Sequence, residues 1–138
     1  MQIEISQKEL WSWFEDSIRT GKRLPGAIKK QKLSYWMDYP DEYWTTYGYH
    51  DVSMRLPPPT SRSISRFIFI LEAIRFVPEV EDRKLIWKRA AKHPWKLLER
   101  EFGMHRTNLH KKIKKELLRI TFKIHDEKKM LQKLRKLL

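Results

Sequence analysis

The chain has 138 residues and a net charge of +13, from 30 Lys and Arg against 17 Asp and Glu. It has no cysteine, which excludes disulfides and thiolate metal centres, and no run of ~18 apolar residues long enough to span a bilayer. The N-terminal Met1–Ser6 lacks the basic and apolar regions of a secretory signal, so a cytoplasmic location, close to the nucleoid if DNA is the partner, is expected.

From the N-terminus, Ser6 and Glu9 fit a capping box that starts a helix near Gln7. Leu10, Trp11, Phe14 and Ile18 then recur at helical spacing, and Gly21 is placed to stop the helix. Residues 22–34 are basic and contain the turn signal Pro25-Gly26. Residues 35–49 hold Tyr35, Trp36, Tyr39, Tyr43, Trp44, Tyr47 and Tyr49, with Pro40 interrupting and Asp41 available as a cap. Such a segment is either a stacking surface for bases or helix-packing core; its acidic-to-neutral charge favours core.

Pro57-Pro58-Pro59 forbids helix and marks a linker at 57–60. It divides an aromatic-rich helical region, 1–56, from a helical core at 61–124, and a basic helical extension covers 125–138. Ser61 or Ser63 caps a helix running to about Phe76, apolar nearly all round and so expected to be the most buried. Pro78 ends it, and Glu79–Asp82 give the next helix an acidic start that suits the positive end of its dipole. Leu85, Ile86, Arg89 and Ala90 share a face of that helix, Trp87 lies beside it, and His93-Pro94 closes it.

Residues 94–120 have the spacing of a helix-turn-helix. Pro94 suits a first helical position, Gly103 suits a turn through positive φ, and a second helix begins near Arg106. Leu98, Phe102, Met104, Leu109 and Ile113 are the expected core of the pair. One position departs from the pattern: where the first helix usually carries a small residue it has Glu99, which either points outward in a looser arrangement or signals a different local geometry. Beyond the motif, Ile113, Leu117, Ile120, Ile124, Leu131, Leu134 and Leu138 keep a 3–4 alternation interrupted only at Glu127. This is either a coiled-coil seam for a homo-oligomer through the C-terminal helix or a face packed on the chain's own domain.

The charge coincides with the motif. Residues 83–138 hold 19 Lys and Arg against 5 Asp and Glu, a net of +14, whereas residues 1–82 sum to −1. A basic block with a reading motif points to duplex DNA as partner, by release of the counterions condensed on its phosphates. In the docking geometry of such motifs His105, Arg106, Thr107, Asn108, His110 and Lys111 stand at base edges, with Arg106 suited to guanine and Asn108, where its side chain faces out, to adenine. Lys111, Lys112, Lys114 and Lys115 suit phosphates, and Trp95 and Lys96 lie near the backbone.

Gly103-Met104-His105-Arg106-Thr107-Asn108-Leu109 and Leu117-Leu118-Arg119-Ile120 resemble the last part of sigma-factor region 4, which implies RNA polymerase as a further partner. Arg23-Leu24-Pro25, Tyr35-Trp36, Tyr47-Gly48, Pro57-Pro58-Pro59, Ile64-Ser65-Arg66, Leu85–Ala90 and Pro94-Trp95-Lys96 resemble a family of short helix-turn-helix proteins of bacteria and their phages, over about residues 11–124. That resemblance implies a helical fold and a phage-type context but no activity. An all-α helical bundle with a C-terminal helix-turn-helix is therefore expected, acting as a phage-type or prophage-type transcription regulator. The alternatives are a small terminase subunit that oligomerises for DNA packaging, and a protein–protein adaptor. No catalytic constellation, cofactor site or metal site is read: the carboxylates Glu79, Glu81 and Asp82 fit a helix start, and His105 and His110 are five apart, the wrong spacing for ligands on one helix face.

Overall fold

The computed structural model describes residues 5–24 and 57–138, which are all-helical, without a strand. The basic and aromatic stretches read at 25–34 and 35–49 lie outside the described residues. None of the described helices is long and apolar enough to cross a membrane.

Helix α1 covers Gln7–Arg23 and begins with the capping box: Glu9 N–H donates to Ser6 Oγ at 3.2 Å and Ser6 N–H to Glu9 Oε2 at 3.0 Å. Gly21 does not stop it. A Cβ there would meet the Phe67 ring at 3.6 Å, so this glycine lets α1 lie close to the next helix. The helix ends instead at Leu24, whose extended backbone is the conformation favoured for a residue preceding proline.

Helix α2, Ser61–Ala73, is capped by Thr60, one residue earlier than the serines, with Ser63 N–H donating to Thr60 Oγ1 at 3.2 Å. A 3₁₀ turn, Ile74–Phe76, follows. The helix is two-faced rather than uniformly buried. Phe69, Ile70 and Ala73 are enclosed, while Ile68 and Leu71 remain 52% and 42% exposed, because neighbours cover only one side. The expectation that it is the most buried helix is corrected accordingly.

Helix α1 packs against α2, against α3 (Val80–Ala90) and against α5 (Arg106–Asp126), so the core sits around it. Its aromatic side chains interlock edge to face with the others: Trp13 with Phe69 at 5.7 Å and Phe14 with Trp87 at 5.5 Å between centroids. The short helix α4, Trp95–Phe102, bridges α3 and α5.

The 3–4 seam does not continue as one helix. At Glu127 the backbone turns extended, with φ −85° and ψ 110°, and helix α6, Lys128–Leu137, folds back onto α2 and α5. One extended residue shifts the register, so Met130 and Leu134 enter the core, Leu131 is half-buried and Leu138 is 51% exposed. Lys133 binds Glu72 of α2 at 2.7 Å, and Arg62 reaches the Leu137 carbonyl at 3.3 Å. The apolar seam closes the chain's own bundle.

Candidate nucleic-acid interface

Helices α4 and α5 and the three residues between them occupy the stretch where the sequence has helix-turn-helix spacing. Pro94 is the N-cap of α4 rather than its first helical residue: its ψ is 145°, and its carbonyl accepts from Leu97 and Leu98 at 3.1 and 3.3 Å. At the other end Gly103 adopts φ 64° and ψ 24°, and its N–H closes on the Glu99 carbonyl at 2.9 Å. Met104, expected in the core, is 38% exposed, because the left-handed glycine turns the chain outward before α5 begins.

The N-terminus of α5 is held by two side chains. His105 is its N-cap, with Nδ1 accepting from Thr107 N–H at 3.3 Å. Glu99 reaches across the turn, and its Oε1 accepts from Arg106 N–H at 2.7 Å. The unusual residue of the motif thus satisfies one of the orphan donors of the second helix and sets a carboxylate at the positive end of its dipole. Leu98, Leu109 and Ile113 are buried between the two helices and their support, and Phe102 is half-buried.

Apart from His105, the N-cap, the residues expected at the interface fall into three groups. Lys96, Thr107, Asn108, Lys111, Lys114 and Lys115 are exposed. Among the described residues, Lys111, Lys114 and Lys115 have no carboxylate within salt-bridge distance. On the helical wheel Thr107, Lys111, Lys115 and Leu118 point away from the buried stripe Leu109, Ile113, Leu117 and Ile120. This face carries amide, hydroxyl and ammonium donors, the groups that meet base edges and phosphate oxygens.

A second group is gathered around Trp95, which is half-buried. The guanidinium of Arg89 lies 4.2 Å from its ring centroid, that of Arg106 5.5 Å, and the His110 ring stands edge-on at 6.0 Å. Arg106 and His110 are solvent-exposed but lie on the flank of α5 that faces α4. Arg89, read only as part of an apolar face, belongs to this cluster, and the Arg89/Trp95 pairing across two helices had no local signal.

Lys112 stands alone in the third group. It is half-buried, and its Nζ lies 3.6 Å from Asp82 at the start of α3, whose carboxylate is largely enclosed. Its ammonium therefore has a carboxylate partner within the chain, unlike those of Lys111, Lys114 and Lys115 among the described residues. Glu116 was also unforeseen: it is buried on the inner side of α5 and accepts from Arg119 at 3.0 Å. Farther along, Leu118 and Phe122 are 44% and 66% exposed.

No curated protein and no solved structure matches the chain. One family model does, described as Domain of unknown function (DUF6362); it matches residues 22–120, from the end of α1 to Ile120 in α5, and the chain belongs to that family.

Proposed function

We propose that this protein grips duplex DNA by laying the first turns of α5 in the major groove. The observation that carries this reading is the exposed face of Thr107, Asn108, Lys111, Lys114 and Lys115 on a helix whose N-terminus and buried stripe are both fixed. At ~1.5 Å rise per residue the stretch 106–115 is about 15 Å long, suited to a groove about 12 Å wide. The most concrete role is transcription regulation of the phage or prophage type. Exposed Leu118 and Phe122, just beyond the lysines, favour a protein contact made alongside DNA, with RNA polymerase or a second copy of the chain. A large ring in solution would favour the packaging reading instead, and a monomer or dimer favours regulation.

The test is fluorescence anisotropy of a labelled random duplex across a salt series. The expected log–log slope is about −3 to −5, as for a few phosphates at ~0.9 each. Lys115→Ala lowers the magnitude of the slope by about 1 for every sequence alike. Absence of salt-sensitive binding at low ionic strength removes the DNA reading and leaves the adaptor.

A further inference from the structure

Between α1 and the helix-turn-helix lies an open cleft of about 370 Å³. That is within the range of clefts that hold small organic ligands. Ile113 and Leu117 line it with aliphatic surface, and the indoles of Trp11 and Trp95 supply its aromatic walls. Both indoles are held in place: Trp11 Nε1 donates to Glu15 at 3.0 Å, and Trp95 lies under the Arg89 guanidinium. Lys8, Arg89 and Lys114 bring three cations to the same space, and no described lining residue is a carboxylate. Lys8 and Lys114 are exposed and enter no ion pair among the described residues.

An apolar slot walled by indoles takes a flat ring, and the cations favour a negative substituent on it. We propose that this cleft binds a small planar aromatic anion, with the ring between Trp11 and Trp95 and the anionic group near Lys8 and Lys114. The site needs no DNA. If the DNA reading also holds, an occupant sets a negative charge beside Lys114 and weakens the grip on duplex, which makes the cleft an effector site.

The experiment titrates the protein, without DNA, with three probes: 2-naphthoate, its neutral isostere 2-naphthamide, and the non-aromatic anion cyclohexanecarboxylate. Binding is read from the indole N–H signals in ¹H–¹⁵N correlation spectra. Saturable shifts of Trp11 and Trp95 by naphthoate are expected, with Trp13 unmoved and both other probes at least tenfold weaker. Lys8→Gln combined with Lys114→Gln changes two exposed side chains outside the core, so the fold is retained. It should weaken naphthoate at least tenfold and leave naphthamide unchanged. No saturable shift, equal binding of naphthamide, equal binding of cyclohexanecarboxylate, or a double variant that binds naphthoate normally overturns the proposal. DNA binding lost with naphthoate binding intact would separate the two readings.

Discussion

The two halves of α5 are built alike inside and differently outside. Residues 106–115 bury Leu109 and Ile113 and offer solvent Thr107, Asn108 and lysines; residues 116–126 bury Leu117, Ile120 and Ile124 and offer solvent the apolar Leu118 and Phe122 beside Lys123 and Asp126. The helix as a whole packs on α1, α3 and α6, and its N-terminal end is further held by the short helix α4, the Glu99 bond and the His105 cap. A single helix thus has an end that anchors and an end that presents polar and cationic groups. The difference teaches that outward chemistry, not the buried periodicity, marks where the presenting end stops.

The largest effect should come from breaking the anchor. Ile120 is fully enclosed, and Ile120→Ala removes apolar atoms and leaves a cavity that a helix pinned on several sides cannot collapse. A loss of about 2–5 kcal/mol is expected in denaturant unfolding. Phe122→Ala, two residues away and 66% exposed, should stay within about 0.5 kcal/mol. Comparable losses at the two positions would mean that Phe122 is covered in solution.

At the presenting end, Arg106→Ala should cost about 1–3 kcal/mol on a preferred duplex site if the guanidinium leaves Trp95 to pair with guanine. Competition anisotropy against site variants measures this. A uniform loss over all sequences would assign Arg106 to phosphate, and no loss would leave it as a partner of Trp95.

Much of this comparison was legible in the sequence, and the misses share a cause. The capping box, the break at the prolines, the left-handed Gly103 and the start of α5 at Arg106 are local features, written in residues three or four apart. Glu99 bonding Arg106, Lys112 paired with Asp82, and Arg89 stacked on Trp95 join residues on different helices, and no spacing rule reaches them. The C-terminal seam shows the limit from the other side. Its periodicity was real, but one extended residue at Glu127 turned it inward, and only the partners in α2 decide that.

Glu99 connects the helix pair to charge. Glu99→Ala should remove about 0.5–2 kcal/mol of stability, as does the loss of a helix cap, because Arg106 N–H loses its acceptor. Glu99→Gln keeps an acceptor oxygen and should retain most of that stability. Both variants remove a negative charge next to the face proposed for phosphates, so both should tighten binding to every duplex. If Gln and Ala are equally unstable, the ionised carboxylate at the dipole, rather than the hydrogen bond, is what holds the helix end.

The smallest effects test how α4 sets the presenting end in place, and they should have opposite signs. Two residues with the same left-handed φ of 64° bracket this helix, Lys92 before it and Gly103 after it. Lys92 ends α3 in a Schellman arrangement, with His93 N–H on the Lys88 carbonyl at 3.1 Å and Lys92 N–H on that of Arg89 at 2.9 Å. Its side chain is exposed, so nothing in the packing requires a lysine. An L-residue in this conformation costs about 1–2 kcal/mol, partly offset by the greater freedom glycine has when unfolded. Lys92→Gly should therefore stabilise by about 0.5–1 kcal/mol, and Gly103→Ala should destabilise by about 1 kcal/mol. A Cβ at Gly103 meets nothing within 4 Å, so the whole loss there is conformational. Unfolding midpoints in urea report both. A neutral Gly103→Ala would mean that the turn relaxes out of the left-handed region, and α5 would then be presented at a different angle while its C-terminal half stayed anchored.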